Sequence, residues 1–344
     1  MQAKMKKHIK NIISLAITVI FSLIVIYSVD FYQTLQTLRL VNHKYIIFLI
    51  LFFFFIMFLR AKRWEILVQK EGVKFFDLYE IYMTSNLLNI FLPARAGDIF
   101  RGCFFGYKYG YSKLETLGTV AAERIMDGLT VVAILLMGIV LYDRSRFVVQ
   151  LALIASFIFL FSFFFILWIY KNNKTDVVCD EIVLFSKKMP DKVGSIVTEI
   201  AEKVRPLLNS FVKGFETFAK PEILTKIIFY SILSWAGDCI FMYILVIAFG
   251  IKASFIISFF IISFIALSTI IPSASIYIGL YQYAFILALS LFHIESYKAF
   301  GIAVAQQGIT LIVYIVVALI FVVKNNMNLI KFRKKEVENN GKNS

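Results

Sequence analysis

Proline occurs five times in this chain of 344 residues, and histidine and cysteine three times each. Cys103, Cys179 and Cys239 are widely spaced and odd in number, which excludes a disulfide framework and any metal-ligand spacing. No histidine lies near another histidine or a cysteine, so neither a metal site nor a cofactor is predicted. Charged residues are only 17% of the chain, too few to cover a soluble protein of this length. With so few prolines, one that interrupts an apolar run is a marked event.

Apolar residues make up 60% of the chain, 37 of them phenylalanine, and the mean hydropathy is +0.80. This composition predicts an all-α polytopic membrane protein. The net charge of +14 fits basic cytoplasmic loops lying against anionic inner-leaflet lipids, rather than a nucleic-acid partner. The bias towards Lys, Asn, Ile and Phe suits an AT-rich bacterial genome, hence a bacterial cytoplasmic membrane.

Six full transmembrane helices are predicted, over 11–29, 41–59, 117–141, 147–170, 224–249 and 299–323. The first is read as an uncleaved span, because no small-residue cleavage site precedes "SVDFYQTL". Residues 1–325 form a single transmembrane domain, and 326–344 a disordered basic tail. Lys4, Lys6, Lys7 and Lys10 place the N-terminus inside, and the basic tail places the C-terminus there too. Arg60, Lys62, Arg63, Lys70 and Lys74 are read as the next cytoplasmic loop, while Arg144 and Arg146 fall outside. The polar loop 171–222 carries Ile200, Val204, Leu207, Leu208, Phe211, Phe215 and Phe218 at helical spacing. That is an amphipathic helix, lying on the inner leaflet or packed on its own protein.

Two regions remain, 76–115 and 253–292, and each is an apolar segment, a proline break and a second segment. The first reads as a hairpin, re-entrant or paired; the second as a hairpin or two full spans. Span, broken hairpin, span thus occurs twice, in opposite orientation, which predicts an inverted repeat. "GTVAAER" and "GIAVAQQ" align at an offset of 183, pairing Glu123 and Arg124 with Gln306 and Gln307. The breaks at Pro93 and Pro272 differ by 179.

In "NLLNIFLPARAGDIFRG", Pro93 stops a helix, and the freed backbone must be satisfied by protein or water. Gly97 gives room, and Asp98 near the start of the next helix complements its dipole. Arg95 and Arg101 either hold an anionic group by bidentate hydrogen bonds or snorkel to the interface. In "AAERIMDGL", Glu123 and Asp127 share a helix face and Arg124 is adjacent. These acids either neutralise the arginines and lock the fold, or form a substrate or ion site. The second break has Pro272, Gly279, Tyr281 and Gln282, with hydroxyls and amides in place of charges. Asp238 in "SWAGDCIFMY" is a further buried acid, read as structural.

Asn86, Pro93, Arg95, Gly97, Asp98 and Arg101, followed by Glu123, Arg124 and Asp127, resemble the motifs of the lysylphosphatidylglycerol synthase transmembrane-region family. These are flippase-like integral membrane proteins, some labelled dolichol-phosphate-glucose-synthetase-like. Pro272, Ser273, Gly279 and Gln282 fit the family's second motif, whereas Ser275 and Ile276 stand where Pro-Gly is usual. The resemblance covers roughly residues 10–325. In bifunctional members this domain precedes a soluble aminoacyl-transferase domain and is implicated in flipping the modified lipid. The present 344 residues leave no room for that second domain, so the resemblance implies translocation without aminoacyl transfer.

The expected function is translocation of an anionic phospholipid or lipid-linked envelope precursor. Arg95, Arg101 and Arg124 would hold its headgroup in a polar intramembrane cavity. Asp98, Glu123, Asp127, Asn86 and Gln282 would complete the site, and Pro93, Gly97, Pro272 and Gly279 would supply the breaks. The alternatives are a non-transporting accessory protein of envelope assembly, and a membrane-embedded transferase acting on polyprenyl-phosphate-linked sugars. No catalytic motif is found for an enzyme, and the oligomeric state is left open.

Overall fold

The computed structural model describes residues 19–92, 95–142, 145–171, 175–186, 191–269 and 279–324. Pro93, Pro272 and the tail 326–344 lie outside the described residues. Every regular element described is helical. The chain is a multi-pass membrane protein, in which α3 (His43–Val68), α6 (Lys113–Leu141), α7 (Arg146–Lys171), α10 (Pro221–Ala248) and α13 (Ser296–Lys324) are each long and apolar enough to cross. A bent pair, Val19–Ser28 (α1) and Phe31–Arg39 (α2), turns through 76° and can make a sixth span. The bend has a local cause: Asp30 caps α2 by accepting from the Gln33 amide at 3.0 Å, which starts a new helix.

Both interrupted regions fold as pairs of short helices. The first is α4 (Phe75–Phe91) and α5 (Ala96–Tyr109); the second is α11 (Ile257–Ser268) and α12 (Leu280–Ser290). At about 1.5 Å per residue none of the four reaches the roughly 30 Å of a bilayer core. The described arms of the second region are thus each too short for a full span. The second arm of each starts from a residue at positive φ, Arg95 (53°) in α5 and Gly279 (86°) in α12. Glycine takes this conformation freely; arginine takes it at a cost.

The expected end of the second span needs correction. α3 does not stop at residue 59 but runs to Val68, capped by Gln69 in the left-handed conformation. Arg60 and Arg63, expected in a loop, lie on the inner face of this helix, and Arg63 is fully buried. Their charges are tolerated because acids on other helices meet them, as shown below.

α3 packs along α10 at the centre of the bundle. α6 packs on α11 and α13 on α4, so each hairpin's first arm leans on the long helix following the other hairpin. The polar loop forms α8 (Thr175–Ser186), α9 (Asp191–Lys213) and a 3-10 turn, Glu216–Ala219. α9 packs against α8, α6 and α7. Ala201, Val212, Phe215 and Phe218 are buried there, whereas Ile200 and Leu207 stay exposed. The amphipathic segment thus packs on its own protein and still keeps an apolar edge outward.

Candidate functional site

The polar residues singled out in the sequence converge on one buried network. Glu123, on α6, is fully buried and central. Its Oε1 accepts from Arg63 Nη2 at 2.9 Å and from the Tyr82 hydroxyl at 3.0 Å. Its Oε2 meets Arg101 Nη2 at 2.7 Å. The Arg101 guanidinium also lies over the rings of Trp64 and Tyr82, 4.8 Å from each centroid.

One turn along α6, Asp127 Oδ1 takes Arg63 Nη1 at 2.8 Å and the Trp235 indole N–H at 3.0 Å. Arg63 Nη1 also donates to Ser231 Oγ at 3.0 Å. Arg63 therefore straddles Glu123 and Asp127, and the i, i+4 spacing of the two acids sets its place. Arg124 bridges elements in the same manner. Its Nε lies 3.2 Å from Asp98 Oδ2, and its Nη1 3.3 Å from Asp127 Oδ2. Asn89 fixes Asp98 from the facing arm of the hairpin: its Nδ2 donates to Asp98 Oδ1 at 3.0 Å, and its Oδ1 accepts from the Asp98 amide at 3.1 Å. Arg60 pairs with Asp238 across the α3–α10 contact and lies over Trp235, 5.0 Å from the ring centroid.

In the second half the corresponding contacts are uncharged. Gln282 Nε2 donates to Gln307 Oε1 at 2.7 Å, and Gln282 Oε1 accepts from the Gly279 amide at 2.8 Å. The Tyr281 hydroxyl donates to Gln306 Oε1.

Beside this network lies a cavity of about 870 Å³. Arg60, Asn86, Arg95, Arg124, Asp127 and Asp238 face it from the first half of the network and α10, and Gln306, Gln307 and Thr310 from α13. Leu151, Ile154 and Ile158 of α7 form part of its apolar wall. Arg95 Nη2 donates to Thr269 Oγ1 at 2.7 Å, joining the tips of the two hairpins.

Of the residues expected at the site, Asn86, Arg95, Arg124 and Asp127 line the cavity. Arg101 and Glu123 are fully buried behind its wall, and Asp98 and Gln282 each reach it through a partner that lines it. Gly97 and Gly279 sit at the hairpin tips, packed against backbone. Arg101 is thus enclosed by Glu123, Trp64 and Tyr82 rather than presented to the cavity. Missed in the sequence were Arg60, Arg63, Trp64, Tyr82, Trp235 and Thr269. A usable signal existed for two pairs: Arg60 with Arg63, and Trp235 with Asp238, are each three apart and share a helix face.

No solved structure matches the chain significantly. A UPF0104 membrane protein of Methanocaldococcus jannaschii is similar, with 22% identity over 249 residues, covering 72% of this chain and 98% of that protein. The lysylphosphatidylglycerol synthase TM region matches residues 11–318, an interval that holds both hairpins and every member of the buried network. By that match the chain belongs to the lysylphosphatidylglycerol synthase TM region family.

Proposed function

We propose that this protein translocates an anionic phospholipid or a lipid-linked envelope precursor across a bacterial cytoplasmic membrane, with both termini on the cytoplasmic side. The observation that carries the reading is the two-sided cavity. Its polar side gathers arginines, carboxylates and amides, while Ile154 and Ile158 on α7 line it and remain more than half exposed, at 60% and 51%. Such a space suits an amphiphile, with headgroup among polar side chains and tails towards the lipid. A small soluble solute has no use for the apolar wall.

The helix arrangement supports the same reading. α3, the α4–α5 hairpin and α6 have as counterparts α10, the α11–α12 hairpin and α13, with reciprocal packing of α6 on α11 and α13 on α4. Gln282 lies 184 residues beyond Asp98, and Gln307 lies 183 beyond Arg124. The Asp98–Arg124 ion pair and the Gln282–Gln307 amide pair thus stand in like places. We read this as an inverted repeat, an arrangement that lets two related halves open a central site alternately to either side.

Reconstituted protein tests the proposal. Liposomes carry lipids labelled on the headgroup, and an impermeant reductant quenches the outer leaflet. Wild type is expected to expose protected anionic lipid. Gly308→Trp is expected to stop this while folding normally, because Gly308 lines the cavity and a Cβ there meets nothing within 4 Å. Equal quenching in wild type, variant and empty liposomes, repeated with a polyprenyl-linked lipid, would refute translocation.

A further inference from the structure

We propose that the translocated lipid carries one net negative charge on a phosphodiester, and that Arg95 is the group that receives it. The inference rests on the translocator reading above and follows from the charges around the cavity. Five guanidinium groups stand in or behind the wall: Arg60, Arg63, Arg95, Arg101 and Arg124. Four carboxylates stand with them: Asp98, Glu123, Asp127 and Asp238. Arg60 is met by Asp238, Arg63 by Glu123 and Asp127, Arg101 by Glu123, and Arg124 by Asp98 and Asp127. Among the described residues Arg95 alone of the five makes no ion pair with a carboxylate; its hydrogen bond goes to the neutral Thr269 hydroxyl. One positive charge is left over, and it lies in the cavity wall.

Charge imbalance is costly in a low-dielectric surround, so an occupant of charge −1 fits best. A phosphodiester has that charge. A zwitterionic headgroup offers the same phosphodiester but brings its own cation, so the site's extra positive charge stays uncancelled, and a pyrophosphate would bring excess negative charge beside Asp127 and Asp238. Exchange at Arg95 favours the lipid, because a neutral hydroxyl gives way to a charge-assisted, bidentate partner. The other groups that Arg95 shares the wall with include Asn86, Gln306, Gln307 and Thr310, which are uncharged and suit hydroxyls on the headgroup.

The test is binding, read by calorimetry on the purified full chain in detergent. The probes are short-chain phosphatidylglycerol, short-chain phosphatidylcholine, a polyprenyl pyrophosphate and water-soluble glycerophosphoglycerol. Wild type is expected to bind phosphatidylglycerol at least about tenfold more tightly than the other two lipids, the scale of one charged hydrogen-bonded contact. Arg95→Asn is expected to erase that preference while folding normally, since asparagine tolerates the left-handed backbone at this position. Arg95→Lys is expected to keep most of it. Glycerophosphoglycerol is expected not to compete at equal concentration; equal competition would show a site for a free phosphodiester and overturn the lipid assignment. Equal binding of phosphatidylcholine, tighter binding of the pyrophosphate, or an unchanged preference in Arg95→Asn would overturn the proposal. If selectivity fails while liposomes still show translocation, this inference falls alone. If selectivity holds and no lipid moves, the translocator reading falls and the anion site stands.

Discussion

Glu123 shows how single side chains hold this interior together. It is fully buried, yet it keeps two arginines and a tyrosine within 3.0 Å of its two oxygens. Removing a charge from such a set costs more than the pair was worth, because the partners stay behind without compensation. Glu123→Gln keeps the shape and an acceptor for the Tyr82 hydroxyl, but leaves Arg101 with only Asp98 at 3.9 Å and Arg63 with Asp127 as its one acid. A loss of about 3–5 kcal/mol is expected. Thermal unfolding in detergent would show it as a clearly lowered Tm, and an unchanged Tm would deny the network its ionic character. The partners of Glu123 were only half legible. Arg101 stood out in an unusually polar stretch, whereas Arg63 closed an apolar run and looked like the start of a loop. Hydropathy counts every charge as a cost, and the acid that offsets Arg63 lies 60 residues further on. Nothing local to "FLRAKRW" reveals that partner.

Among the elements, the hairpins were the most readable and their purpose the least. A proline inside an apolar run gives their positions, but the sequence leaves the second as a hairpin or two full spans, and only the structure gives the lengths of its arms. The reason for Gly97 becomes clear only when the arms are seen together. A Cβ at Gly97 would stand 1.9 Å from the Ser85 carbonyl oxygen and 2.7 Å from the Asn89 amide nitrogen. α5 therefore crosses α4 at backbone contact, which lets Asn89 reach both the carboxylate and the amide of Asp98. Gly97→Ala must push the arms apart and break this double hydrogen bond. The expected result is about 1–3 kcal/mol of destabilisation from overpacking, together with loss of anionic-lipid binding, because Asp98 then no longer positions Arg124. Calorimetry beside a melting curve separates the two effects; full affinity in a folded Gly97→Ala protein would show that the tight crossing serves packing alone. The α1–α2 bend escaped notice because its one signal, the Asp30 cap, is a common surface feature.

Across the whole molecule, one contact ties the two halves at their centre. α3 and α10 run along each other, and Gly237 lets α10 come close to Ile56. Arg60 and Asp238 form the ion pair across this seam, beside the Arg63–Ser231 and Trp235–Asp127 hydrogen bonds, while Arg95–Thr269 and the ion pairs of Lys324 with Asp77 and Glu80 join the halves elsewhere. A buried ion pair gives little net stability over well-packed apolar side chains, but either member alone is expensive. The energetic weight of the pair therefore lies in each charge compensating the other. A double-mutant cycle tests this. Arg60→Met and Asp238→Leu are each expected to destabilise by about 3 kcal/mol or more, since each leaves one charge without its partner. The double variant is expected to recover most of that loss, giving a coupling well above the few tenths of a kcal/mol seen for independent sites. Purely additive losses would mean that the two charges act separately, each through the cavity. With recovery, the seam can be made apolar without separating the halves. The ion pair would then count chiefly as part of the cavity's polar lining.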